Sequence, residues 1–508
     1  MTVKAISRES LRQWPQIDRR KRCNVAEIVI PTNCLYVNGT WVRPEAAAEF
    51  EVVNPATEEV IGVVPVAPAA FASEAIAAAQ AGFGVWAATD VEARARMLER
   101  LAQAMEDHRS QLSELTSAEI GTPVKDAATG QVDLPVRVLR SYADIARKYP
   151  WDTRDAAGSA VVREGAGVVV AITPWNFPVH QIIAKLAPAL VAGCSVVLKP
   201  AELTPLNALF LAALCESIGL PPGVFNVVTG KGSVVGEALL QSDGYEVVSF
   251  TGSLQVGRHV GEVAGSKVAR AALELGGKSP AVVLDDADLT TAVQTTVRNC
   301  FVNAGQKCNA PTRLLVPRAR LDEAVEIAGE VAGSYVVGDP SDPATTMGPV
   351  ASAAQRDVVT GFLDRARSDG ARVVTGGETQ QWERGYFLTP AIVTDVSRSA
   401  EIAREEVFGP VLVVMAHDGE EDAVALANDS DYGLSAEVWS GDPGRAARLA
   451  RRIKAGQVRV NGVRTPELPV SPFGGYKRSG IGRELGELGL DEFVEIKAIL
   501  GDPFVGEE

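Results

Sequence analysis

Cys308 stands in Phe301-Val302-Asn303-Ala304-Gly305-Gln306-Lys307-Cys308-Asn309-Ala310, a stretch of small and polar residues. An inert cysteine behaves as a small hydrophobe and sits among Val, Leu and Ala. Here Gly, Gln, Lys and Asn are its neighbours in sequence, which predicts an accessible thiol with hydrogen-bond donors nearby. Such surroundings favour the thiolate, the form that attacks carbon. A loop cysteine without a role fits the same stretch. Glu274 is a second reactive candidate, placed between Leu273 and Leu275 and ahead of Gly276-Gly277. An apolar strand end disfavours the charged carboxylate and raises its pKa toward that of a general base. An exposed acid at a strand end is the plainer alternative.

Other residues have the chemistry of nucleotide binding. Gly230-Lys231-Gly232-Ser233-Val234-Val235-Gly236 follows one predicted strand and opens a helix. Glycines there let the backbone approach a phosphate, and a helix N-terminus favours anions. The spacing is one residue longer than G-x-G-x-x-G, and an ordinary glycine turn would look the same. Phe250-Thr251-Gly252-Ser253 is a second strand-to-helix turn, with Ser253 able to cap the helix or meet a phosphate oxygen. In Lys199-Pro200-Ala201-Glu202, a lysine and a glutamate at a strand end suit a ribose diol. A carboxylate on the ribose accepts the 2′-hydroxyl and repels a 2′-phosphate, so it favours NAD over NADP. A solvated surface pair is the default for two such charges alone.

These residues need elements to hold them. Residues 167–172, 195–198, 224–228 and 246–250 read as strands, with helices over 181–190, 206–218 and 254–263 and one starting at 236–240. That alternation predicts a parallel sheet covered by helices on both faces. Ligands of such sheets bind beyond the carboxyl ends of the strands, where the residues above lie. A second α/β set follows Gly276-Gly277: strands at 281–284, 314–316, 411–415, 435–439 and 457–460, helices at 289–302, 321–331 and 445–453. Before both sets, 35–42 reads as two short strands around Asn38-Gly39, and 69–88 and 91–120 read as amphipathic helices. Residues 492–497 alternate as a strand does.

The chain has 508 residues, too many for one core. A net charge of -15 gives no electrostatic pull toward nucleic acid or an anionic membrane surface. No run of twenty apolar residues is present, which excludes a transmembrane helix. The six cysteines show no CxxC pairing and the four histidines are well separated, so no metal site is expected. Free thiols fit a reducing compartment, the cytoplasm. Residues 1–34 mix Arg and Lys with Glu and Asp and lack an apolar run after Met1, so we expect a loosely ordered arm rather than a leader.

The ordered motifs Pro174-Trp175-Asn176-Phe177-Pro178, Lys199-Pro200-Ala201-Glu202, Phe250-Thr251-Gly252-Ser253, Leu273-Glu274-Leu275-Gly276-Gly277-Lys278, the Cys308 stretch, Glu406-Val407-Phe408-Gly409-Pro410 and Pro472-Phe473-Gly474-Gly475-Tyr476-Lys477-Arg478-Ser479-Gly480 complete the picture. With them the chain resembles the NAD(P)-dependent aldehyde dehydrogenase superfamily, over about residues 35–499. The resemblance implies an α/β fold with a Rossmann-type parallel-sheet cofactor domain (35–140 and 161–273) and an α/β catalytic domain (274–484). It also implies a small oligomerisation hairpin (141–160, with 485–508) and a homodimer or homotetramer.

By the same resemblance Cys308 attacks an aldehyde carbonyl, Asn176 and the Cys308 backbone N–H receive the oxyanion, and Glu274 activates the water that releases a free acid. Relatives that hand the acyl group to coenzyme A lack a glutamate at that position. The cofactor, NAD, would meet Thr173, Trp175, Lys199, Glu202, Gly232, Gly252, Ser253, Leu275, Glu406 and Phe408. Lys185 matches a lysine sometimes found in a proton relay, though a lysine facing water is simpler. Phe177, His180, Gln181 and Ala184, with Lys307 and Asn309, would line the substrate tunnel. Several relatives carry a large aromatic in place of Ala184, so the tunnel is expected to be wider. Arg464, in the loop 462–470, would suit a substrate carboxylate. The reading is oxidation of an aldehyde to its acid. The alternatives are a semialdehyde or aminoaldehyde specialist and a non-catalytic nucleotide-binding member, against which the presence of both Cys308 and Glu274 argues.

Overall fold

The computed structural model describes residues 28–45, 47–379, 382–462 and 469–501. Among them, eight strands form the first sheet, in the order Thr40–Val42, Leu35–Val37, Phe225–Val227, Ser195–Lys199, Val168–Ile172, Val247–Thr251, Arg270–Glu274, Gly480–Ile481. The five inner strands are parallel, and the pairings at both ends are antiparallel. Along each inner strand the side chains alternate between two cores. Val169, Ala171, Val196 and Leu198 enter one, and Val168, Val170, Val197, Val248 and Phe250 enter the other. This two-sided burial is why these strands read as unbroken apolar runs. The chain order reverses between Val168–Ile172 and Val247–Thr251, so a crevice opens beyond their carboxyl ends.

The second sheet runs Arg372–Thr375, Ala391–Thr394, Val411–His417, Arg313–Pro317, Pro280–Val283, Ser435–Trp439, Gln457–Val460. It is parallel except at the Arg372–Thr375 edge. A third, antiparallel sheet joins Val494–Ile499 to Ala160–Gly165 and Asp152–Arg154.

The expected boundaries shift at two places. The hairpin is displaced from 141–160: the helix Leu134–Lys148 still holds Tyr142, Ala143, Ile145 and Ala146 buried, at helical spacing. The strands begin only at Asp152, and Ala160–Gly165 pairs with the hairpin rather than with the cofactor sheet. Late in the chain, Gly480–Ile481 returns to the first sheet and covers its edge at Leu273 and Glu274.

A buried carboxyl ties the helical layer together. Glu119, near the end of the helix Arg109–Ile120, accepts from the Leu206 N–H at 2.7 Å, the Asn207 N–H at 3.0 Å and the Asn207 side chain. These donors open the helix Pro205–Ser217, where an anion is favoured. Burial outweighs them and pushes the Glu119 carboxyl up to about 8. Glu119→Ala leaves three buried donors without an acceptor and is expected to cost about 2–4 kcal/mol. A lower urea midpoint by tryptophan fluorescence is the check; an unchanged midpoint would contradict this role.

Candidate active site

The helix Leu289–Cys300 ends in a short turn, Val302–Gly305. Asn303, Ala304 and Gly305 there take left-handed φ values of 52°, 53° and 72°. Two consecutive non-glycine residues in that region are strained, and surrounding structure must hold them. Asn303 Nδ2 donates to the Asn176 carbonyl at 2.9 Å, and Asn176 Nδ2 donates to the Gln306 carbonyl at 3.0 Å. Buried Gln306 donates back to the Asn303 carbonyl at 3.0 Å and accepts the Ala351 N–H at 2.9 Å. Backbone meets backbone on both sides of this knot. A Cβ on Gly305 would lie 2.1 Å from the Gly409 carbonyl oxygen, and one on Gly277 would lie 2.4 Å from that of Cys308. Asn176 is thus fastened beside the Cys308 loop, with a second amide N–H left over.

Cys308 is half-buried, and burial pushes its thiol up to about 12. The charges of Glu406 and Glu274 act in the same direction, while Lys307 pulls weakly the other way. The expected ready thiolate is therefore not what this loop provides by itself. Its polar neighbours in sequence turn inward to brace the backbone, and carboxyls from distant segments approach instead.

Glu274 ends the strand Arg270–Glu274 and is buried. One carboxylate oxygen, Oε2, has no hydrogen-bond partner among the described residues. Burial first, then the charge of Glu484, raises its pKa well above the usual carboxylate range, against Lys185 and Arg483. This agrees with the expectation for an acid at an apolar strand end. Lys185 corrects the simpler reading given to it. It does not face water: it is 1% exposed, and Nζ donates to Thr251 Oγ1 at 2.7 Å and Glu484 Oε1 at 2.5 Å. Its helix, Pro178–Ala192, is buried on nearly every side, so a lysine there needs an internal partner. Glu484 comes from 299 residues away, and an acid between arginine and glycine-rich sequence carries no local sign of burial.

The nucleotide-type residues line the carboxyl end of the first sheet. Thr173 is buried with Oγ1 unpartnered among the described residues. Lys199 ends its strand, donates to the Pro200 carbonyl at 2.7 Å, and is pushed down by burial to about 8. Glu202 accepts the Gly232 N–H at 2.7 Å, joining the two segments expected to hold ribose and phosphate. The glycine turn itself, Gly232–Gly236, is π-helical, and the α-helix starts only at Glu237. Ser253 caps Leu254–Ser266 through the Val256 N–H, and a Cβ on Gly252 would lie 2.5 Å from Phe250. Leu275 donates its N–H to the Ser479 carbonyl at 2.9 Å. Glu406, just ahead of the strand Val411–His417, accepts the Gly277 N–H at 3.0 Å, and burial pushes it up to about 7. Phe408 meets Trp175 edge-on with ring centres 5.4 Å apart. Its backbone, at φ 55°, is held by Gln355, which donates to the carbonyls of Val407 and Phe408. Ser253, Leu254, Arg258, Glu405, Glu406 and Tyr432 border a cleft of about 640 Å³ between the sheets. An orphaned hydroxyl and a cleft of this size fit a dinucleotide.

Phe177, His180 and Gln181 open the helix after Asn176, and the His180 N–H meets Gln131 Oε1 at 3.4 Å. Ala184 lies in the hydrophobic core at 1% exposure. Lys307 is half-buried, and Asn309 is buried with Oδ1 unpartnered among the described residues. Arg464 lies outside the described residues. Asn303, Gln306, Gln355, Glu484 and Gln131 were not singled out in sequence, because their importance is set by what reaches them from elsewhere.

A family model described as the aldehyde dehydrogenase family matches residues 41–499. The chain belongs to the aldehyde dehydrogenase family. It is 43% identical over 470 residues to a 3-succinoylsemialdehyde-pyridine dehydrogenase of a Pseudomonas species, covering 92% of this chain and 98% of that protein. A geranial dehydrogenase of Castellaniella defragrans is 40% identical over 471 residues, 92% of this chain and 98% of that protein. Among solved structures, a mutant of aldehyde dehydrogenase C from Pseudomonas syringae, complexed with NAD+ and octanal, matches with a TM-score of 0.90 at 43% identity, over 92% of this chain and 97% of that one.

For this aldehyde dehydrogenase the raised thiol has a measurable consequence. In nucleotide-free protein the rate of Cys308 alkylation by iodoacetamide is expected to keep rising from pH 7 to about pH 10, since the thiolate fraction is still growing there. A plateau already at neutral pH would contradict it.

Proposed function

We propose that this protein oxidises an aldehyde to the carboxylic acid with NAD. The observation that carries the reading is the meeting of three groups from separate segments: the Cys308 thiol, the buried Glu274 carboxyl that acts on it, and the Asn176 amide fastened to the same loop. Cys308 adds as thiolate to the carbonyl carbon and forms a thiohemiacetal. The developing oxyanion takes the remaining Asn176 N–H and the backbone N–H of Cys308. Bound NAD supplies the hydride acceptor, and the acyl group is left as a thioester on Cys308. Glu274, once ionised, takes a proton from water, and the hydroxide formed releases the acid and frees the thiol. Thr173, Trp175, Lys199, Glu202, Gly232, Gly252, Ser253, Leu275, Glu406 and Phe408 hold the cofactor, and Glu202 favours NAD over NADP.

A semialdehyde or aminoaldehyde substrate is the second reading. It is favoured by the 43% identical semialdehyde dehydrogenase and by aminoaldehyde dehydrogenases of pea at 39% and 37% identity. We further infer a homodimer or homotetramer built on the sheet of Val494–Ile499 and Ala160–Gly165. That sheet leaves Ile496 at 65% and Leu500 beside it at 78% exposure. Five free cysteines among the described residues suit a reducing cytoplasm. No helix among the described residues is long and apolar enough to cross a membrane.

NADH formation from aliphatic, aromatic, amino and carboxylate-bearing aldehydes tests the reading. Wild type should turn over steadily, Cys308→Ala should form none, and Glu274→Gln should give one burst per site. Steady turnover by Cys308→Ala would refute the thioester route. Because Glu274 acts ionised and its pKa is raised, the deacylation rate should go on climbing with pH beyond the range where an ordinary carboxylate is fully ionised. Glu202→Gln should narrow the preference for NAD over NADP by about tenfold.

A further inference from the structure

We propose that Gln131 determines substrate specificity by binding an uncharged oxygen, a carbonyl or hydroxyl, on the chain of the aldehyde. This rests on the aldehyde-oxidising reading above and names its substrate class. Gln131 belongs to the π-helical turn Ala128–Asp133, which interrupts the helical run between Val124 and Lys148. Such turns are rare and recur at functional sites, because the extra residue re-aims side chains. Here the turn sets Gly130 against Phe177: a Cβ on Gly130 would lie 3.8 Å from that ring. The next residue, Gln131, is 1% exposed and faces the start of the helix Pro178–Ala192. Its Oε1 accepts the His180 N–H at 3.4 Å, so the carbonyl end of the amide is engaged. Its Nε2 has no partner among the described residues.

Two more carboxamides share this condition. Gln181, on the same helix start, is 6% exposed with Oε1 unpartnered, and Asn309, next to Cys308, is 6% exposed with Oδ1 unpartnered. A buried amide atom left without a partner is unfavourable. The π-helical turn, the helix after Phe177 and the Cys308 loop thus present one spare donor and two spare acceptors. None of the side chains named here is a carboxylate, so an ammonium tail gains no counter-charge from them. A carbonyl or hydroxyl oxygen takes the Gln131 N–H, and a hydroxyl can also donate to an acceptor. An alkyl tail uses none of them.

The test compares kcat/KM for a keto-alkanal, the alkanal of equal carbon count and an aminoalkanal, each with NAD. Wild type should favour the keto-alkanal over the alkanal. Gln131→Met keeps the volume and removes the donor, and should lower that selectivity ratio by about tenfold, the worth of one neutral hydrogen bond. Gln131→Glu, similar in size, should raise the ratio of aminoalkanal to keto-alkanal by at least about tenfold through its charge. A merely structural role would depress all three substrates together and leave both ratios unchanged; that result, in either folded variant, overturns the proposal. The parent reading fails differently: wild type would then form no NADH from any of the three, and this proposal would fall with it.

Discussion

The centre of the molecule depends on charge buried in the right company. Lys185 would be unstable alone inside a helix packed on nearly all sides, because a lone ammonium there loses its hydration. Glu484 compensates the charge and Thr251 supplies a further acceptor. A buried pair holds only when its geometry and its remaining hydrogen bonds are good, so the contact fixes three segments together. These are the helix that starts after Asn176, the end of the strand Val247–Thr251, and the late chain that also closes the first sheet. Glu274 sits beside them as a second carboxyl. Its raised pKa follows from burial and from Glu484, with Lys185 limiting the effect.

Close backbone contact is the second constraint. The Cys308 loop carries strained left-handed residues, and it stays in place because Asn176, Gln306 and Ala351 bond to it. Glycines at 277 and 305 are required where its carbonyl and that of Gly409 come too near for a Cβ. Glu406 and Phe408, just ahead of the strand Val411–His417, meet Gly277 at the junction of the two sheets and Trp175 of the first half. The cleft bordered by Ser253 and Glu406 and the surroundings of the Cys308 thiol are therefore products of one junction.

The parallel topology explains why so many candidates converge. Thr173, Lys199, Gly252 and Glu274 are scattered over a hundred residues, yet each ends or follows a parallel strand of one sheet. Parallel strands bring such positions to a common edge. The mirror of this convenience is that residues off the strands, such as Gln131 and Glu484, join the site without any local signature.

Strand and helix rhythm, the glycine turns at strand ends and the candidates Cys308 and Glu274 were legible in the sequence. They depend on period, on glycine where backbone must come close, and on residue type at strand ends, all of which are local. The amphipathic pattern continuing through Tyr142 and Ile145 also holds the reason the hairpin starts later than 141, although the motif comparison placed it there. Tertiary structure alone decided the rest: that Lys185 is inside, that Ala184 lies in the hydrophobic core, that the Cys308 thiol is held up rather than activated by its own loop. Each of these is an electrostatic or packing property set by atoms distant in sequence. Burial and field depend on what arrives from the other sheet, and a linear chain does not carry that information at the residue concerned.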